Sequence, residues 1–299
     1  MKKILRVAGS LALALGATLS SPAQMIRVTV RNLVPSTPTG LHVAPVWLGF
    51  HDGGFDFFDP GTVASAGVEA LAELGDSSLI DATLMAAQPG GYSTVLNNPG
   101  GPGPGIFVPG ASNSTVVSVD AMSRGYLSFG AMVVPSNDSF IANGNPMSLA
   151  LFDVSGSFIG AQTWTIPGAN VWDAGTEVNS PMEGAAFVAG VDAMLGADEG
   201  GMIHLQPLDG LDNMIGLMTP AGTTIGQGLS SDPLFSISIT PVPEPSTYGL
   251  IAAAGLAAFA MWRRRRASED VTGAGRAAPE ISARAGPGAA VEGAKAFSH

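Results

Sequence analysis

YLSFGAMVVPSNDSF (Tyr126–Phe140) is the stretch on which the reading of the fold turns. Tyr126–Val134 is a short run rich in Val, Leu and aromatic residues, and Pro135-Ser136-Asn137-Asp138 closes it with turn residues. Runs of this kind recur along the chain. MIRVTVRNL (Met25–Leu33) alternates apolar and polar residues, the period of a half-buried strand. PVWLGFH (Pro45–His51), STVVSVD (Ser114–Asp120), MSLALFD (Met147–Asp153), MIHLQ (Met202–Gln206) and LFSISIT (Leu234–Thr240) are short and separated by Asn, Asp, Gly and Pro. ASAGVEALAELG (Ala64–Gly75) reads as a helix, with Val68, Leu71, Ala72 and Leu74 on one side and Gly75 as its stop. SSLIDATLMAA (Ser77–Ala87) is a second helix candidate, capped by Ser77 or Ser78. NNPGGPGPGIFVPG (Asn97–Gly110) is a Gly/Pro loop. Together these predict a mainly β fold. Residues 24–240 form one antiparallel β-sandwich domain with one or two inserted helices.

The chain has 299 residues and no cysteine, so there is no disulfide framework, thiolate nucleophile or Cys-ligated metal. Its mean hydropathy of +0.31 is raised by two apolar terminal segments. At the first, Lys2, Lys3 and Arg6 precede the apolar run Val7–Leu19 and the small residues of SSPA. That order predicts a secretory signal peptide over residues 1–23. Between Gln24 and Pro243 three arginines (Arg27, Arg31, Arg124) face nineteen carboxylates, a net charge of −16 with no lysine. Such a surface repels nucleic acid and excludes it as a partner.

The second apolar segment lies in VPEPSTYGLIAAAGLAAFAMWRRRR (Val242–Arg266). Tyr248–Trp262 predicts a short transmembrane helix of 15 residues, roughly 22 Å at helical rise against a hydrocarbon core of about 30 Å. Arg263, Arg264, Arg265 and Arg266 read as the stop-transfer cluster, which leaves 24–243 translocated and 267–299 as a disordered cytoplasmic tail. The proline-glutamate-proline triplet, apolar run and arginine cluster over 241–266 resemble a PEP-CTERM sorting signal. The resemblance implies a Gram-negative bacterium, an exosortase as partner and cleavage near Pro243, Glu244 and Pro245. It also implies a transient stay in the inner membrane on the way to the cell surface or the outside. A plain single-pass anchor is the alternative.

Two stretches offer acidic groups for chemistry. HDGGFDFFDPG (His51–Gly61) carries Asp52, Asp56 and Asp59, but lacks EF-hand spacing. It reads as Gly-rich turns with Phe55, Phe57 and Phe58 entering the core. PSNDSF (Pro135–Phe140) and VWDAGTE (Val171–Glu177) offer Asp138, Asp173 and Glu177. Two loops at one end of a sandwich can join such carboxylates around Ca²⁺, or leave them solvated. Outside the tail the only histidines are His42, His51 and His204, and no G-x-S-x-G frames a serine, so no catalytic set is selected.

FDFFDPG, ASAGVEALAELG, SFGAMVVPSNDSFIAN and WDAGTEVNSP, in that order, resemble a spondin N-terminal domain over Arg27–Gln206. The resemblance implies a C2-like β-sandwich with a Ca²⁺ site in which Asp138, Asp173 and Glu177 are ligands. Glu177 stands where the family usually has Asp, and the disulfides of animal members have no counterpart. The implied function is a non-enzymatic adhesion or binding module of the cell surface or extracellular matrix, with exopolysaccharide or matrix components as partners. The alternatives are a secreted hydrolase acting on polysaccharide with carboxylate catalysis, and a purely structural surface protein.

Overall fold

The computed structural model describes residues 23–243 and 245–273. The chain divides into two units, Met1–Val242 and Pro243–His299. The first is mainly β, and all its strand pairs are antiparallel. One sheet has four strands in the order β5 (Ser112–Val119), β1 (Gln24–Asn32), β11 (Pro233–Pro241) and β8 (Gln162–Pro167). The other runs β10 (His204–Leu205), β9 (Trp172–Asp173), β7 (Ser139–Ala142), β6 (Tyr126–Val134), β3 (Val46–His51) and β4 (Tyr92–Leu96). A seventh strand, β2 (His42–Val43), pairs with β6 beside Val133 and Val134.

Burial follows the predicted periods. In β1, Ile26, Val28 and Val30 are buried while Arg27 and Arg31 face water. These three join Phe235, Ile237 and Ile239 of β11 and Leu127, Phe129, Ala131 and Val133 of β6 in one hydrophobic cluster drawn from both sheets. Each of these side chains other than Ala131 contributes about 1.5–3 kcal/mol by leaving water. The larger sheet also has a second buried face, where Trp47 and Phe140 meet Val68, Leu71 and Ala72 of α1 (Ala66–Leu74) and Ile80 and Leu84 of α2 (Ser78–Ala87). A strand covered on both faces shows a continuous apolar run rather than alternation. That accounts for Tyr126–Val134. Helix α1 comes close because residue 130 is glycine: a Cβ there would stand 2.8 Å from Leu71 Cδ2.

The helix ends follow from local chemistry. The Ser65 hydroxyl accepts the Val68 N–H at 3.3 Å, and Gly75, at φ 68°, turns the chain out of α1. At α2 neither serine caps by its side chain; Asp76 Oδ1 accepts the Ser78 N–H instead, at 2.9 Å. Three expectations need correction. Met147–Asp153 is irregular, although Leu149, Leu151 and Phe152 are buried, because its backbone touches β6 only through a single bridge to Tyr126 and bonds at its ends. MIHLQ shrinks to two residues, and Leu74 is exposed.

In the second unit α3 spans Pro245–Gly273 and so includes the apolar 248–262 segment, the four arginines and the first residues of the expected tail. The expected transmembrane helix is not met: among the described residues no helix is long and apolar enough to cross a membrane. The physical reason is length, since the apolar run meets Arg263 after 15 residues, short of the roughly 20 that a span requires. The expected signal peptide, apart from Ala23, lies outside the described residues, as do Glu244 and residues 274–299.

Truncating Leu71 opens a cavity over Gly130 that the sheet cannot close. Leu71→Ala is expected to destabilise by about 2–5 kcal/mol. Val63→Ala, at a side chain 73% exposed, serves as the control in the same guanidinium titration and should stay within about 0.5 kcal/mol.

Candidate functional site

The end of β6 places the first acidic residue. Ser136, Asn137 and Asp138 make the turn into β7, whose first residue, Ser139, pairs with Asp173 of β9. On its other side Asp173 pairs with His204. The Asp138 carboxylate is fully buried: Oδ2 accepts the N–H groups of Thr176 (2.8 Å) and Glu177 (3.1 Å) and the Thr176 hydroxyl (3.2 Å). Asp138 Oδ1 has no partner. Asp173, 1% exposed, accepts the Gly175 N–H on Oδ1 (2.8 Å) and the Asn179 amide on Oδ2 (2.9 Å). His204 Nδ1 stands 3.9 Å from the same Oδ1. Glu177, 6% exposed, accepts from Asn137 Nδ2 at 3.4 Å. The fold therefore sets Asp138 against the Asp173–Glu177 segment, and all three acids expected from sequence are buried.

Glycines shape the enclosure. Gly175 has φ +67°, and a Cβ on it would lie 2.7 Å from Met202 N, so only glycine fits between Asp173 and Thr176. A Cβ at Gly196 would fall 2.0 Å from Glu177 Cδ, so the Glu177 carboxylate rests directly on bare backbone. Sequence reasoning missed Asn137, Asn179 and Glu73. Glu73 sits four residues after Glu69 on α1, and that acidic i, i+4 pair was the available signal.

Burial, then the neighbouring Asp173 charge, pushes Asp138 up to about 6. Burial, then the Glu73 charge, pushes Glu177 up to about 7. Glu73 is itself raised, first by burial and then by Glu69 and Asp198. The domain has only three arginines with which to offset this. Among the described residues no group of three or more His, Asp and Glu side chains stands in a metal-holding arrangement.

Asp52 and His51 bond within their own turn. Asp52 Oδ1 accepts the Gly54 N–H at 2.9 Å, and Phe55 and Phe58 are buried in the second cluster. His51 Nδ1 accepts the Gly53 N–H at 3.0 Å, which leaves the proton of the neutral ring on Nε2. Ser128 Oγ, 2.9 Å away, then accepts from His51, the reverse of what an activated serine requires.

In the second unit Pro243 is exposed, Pro245 opens α3, and Arg263 to Arg266 are exposed on that helix. Residues 241–266 match the PEP-CTERM protein-sorting motif. The chain carries an exosortase sorting signal. Such a signal directs a protein through the membrane to the cell surface in Gram-negative bacteria. No curated protein matches the chain, and neither a family match nor a relative supports the spondin resemblance of Arg27–Gln206.

The raised carboxylates give stability a definite pH dependence. The folded state holds protons that the unfolded chain releases from about pH 4 upward, so their contribution is full below that and is lost as pH rises through about 6 to 7. In EDTA the melting temperature should fall by several degrees between pH 5 and pH 8. Asp138→Asn should flatten that slope. A flat wild-type profile would contradict the buried acidic cluster.

Proposed function

We propose that residues 24–240 form a β-sandwich of spondin type that acts as a non-enzymatic binding module at the cell surface or in the extracellular matrix, with Ca²⁺ ordering its acidic turn. The observation that carries this is the unpartnered, fully buried Asp138 Oδ1; a second buried oxygen, Asn179 Oδ1 on the residue that bonds Asp173, also lacks a partner. Buried polar atoms without partners are rare, and two hard oxygens among mutually repelling carboxylates fit a hard divalent cation. Asp138, Asp173 and Glu177 would have to draw closer together than they stand to share the ion, which would supply the positive charge that the domain lacks. Burial of Asp138 and Glu177 also favours binding over hydrolysis, because neither acid presents a face to a sugar bond.

A cation that binds only the native state stabilises it by mass action, about 2.7 kcal/mol at a hundredfold excess over Kd. Millimolar Ca²⁺ should therefore raise the melting temperature of the purified protein at pH 8 by roughly 5–10 °C, and Asp173→Asn should abolish that rise. Asp138→Asn should also remove the response, while raising the melting temperature in EDTA by relieving charge repulsion. A wild-type melt indifferent to Ca²⁺ rejects the ligand assignment. For the sorting signal, mass spectrometry of the mature protein should find a C-terminus near Pro243–Pro245. A C-terminus beyond Arg266 would make the segment a retained anchor.

A further inference from the structure

Strand β8 is the outer strand of the smaller sheet, and between it and the β7–β9 side of the larger sheet lies a pocket of about 420 Å³. This volume falls within the range of small-ligand sites, roughly 300–1,000 Å³. Its walls include two half-buried indoles, Trp164 and Trp172, and three amides, Asn143, Asn145 and Asn170. None of its lining residues is charged, in a domain of net charge −16.

The wall is braced from behind. Asn143 Oδ1 accepts the Phe129 N–H at 2.9 Å, and its Nδ2 donates to the Asn145 carbonyl at 3.0 Å. Trp172 donates to the Ala142 carbonyl at 3.3 Å, and its ring meets Phe58 edge-on at 5.4 Å. Other groups are left for a ligand. Among the described residues the Trp164 indole N–H and the Asn170 amide make no hydrogen bond, and Asn145 uses its Oδ1 on the Met147 N–H but not its Nδ2. Flat aromatic faces and uncommitted amides, with no fixed charge, complement a ring that is apolar on one face and edged by hydroxyls.

We propose that this pocket binds a sugar unit of a neutral polysaccharide. The inference rests on reading the domain as an exported binding module and names the ligand class of that module. A charged glycan would find no counter-ion in the wall.

The test titrates the purified protein with the neutral hexasaccharides cellohexaose, xylohexaose, mannohexaose and laminarihexaose. Tryptophan fluorescence reports binding, and the Ca²⁺-dependent melt is recorded on the same samples. At least one sugar should give saturable binding, weakened about tenfold by Trp164→Ala and by Asn170→Ala, with Trp164→Phe retaining most of it. Asn170 is exposed and unbonded, so its variant should melt as wild type does and keeps the test sound if Trp164→Ala fails to fold. Absence of saturable binding to all four sugars overturns the inference, as does binding that ignores both variants. An intact Ca²⁺ shift without sugar binding removes this inference alone. Sugar binding without a Ca²⁺ shift removes only the cation assignment.

Discussion

Strand β6 has no face left for water, and that constraint organises the domain. Every residue from Leu127 to Val134 is buried, because one side packs against the smaller sheet and the other receives α1 over Gly130. Its pairing with β2, β3 and β7 satisfies its backbone. The chain can leave such a strand only through a turn that carries its own hydrogen-bond partners. Ser136, Asn137 and Asp138 supply them, and Asp138 is thereby driven into the protein together with its charge.

The fate of that charge sets Asp138 apart from acids elsewhere in the domain. Asp153 is held below the usual carboxylate range by the Ser155 hydroxyl and then the Ser157 N–H. At Asp120 burial pulls upward, but bonds from Ser123 and Met122 outweigh it. Asp138 has three donors on one oxygen and still lies high, because burial and Asp173 dominate and its other oxygen is bare. Donors on one oxygen alone do not offset the burial of a charge. A carboxyl held up at about 6 is the physical signature of the turn.

Sequence alone made the strongly patterned elements legible. Period-two alternation located β1, continuous apolar runs located β3 and β6, and the Gly75 stop located the end of α1. Strands β7 and β9 escaped because they are four and two residues long and are specified by the edge they join, not by their own composition. Met147–Asp153 misled for the converse reason: apolar side chains can enter a core without their backbone joining a ladder. Turn-rich motifs and the spondin resemblance singled out Asp138, Asp173 and Glu177, but their burial shows only in the fold. Asn137, Asn179 and Glu73 were not singled out, since an amide or a helix-surface glutamate is informative only once the fold sets it beside a buried charge.

The shortest elements bear most directly on function. In β9 two consecutive residues lead to different surroundings, as side chains of a strand alternate between its faces. Trp172 lines the uncharged pocket, and Asp173 joins the acidic turn. The two are one peptide apart, and both are fixed by the same antiparallel pairing to Phe140 and Ser139 of β7. Any restraint on the Asp173 backbone is therefore a restraint on the indole beside it. A strand held by its neighbours, with Gly175 at φ +67° just beyond it, thus sets the acidic turn and the pocket one peptide apart.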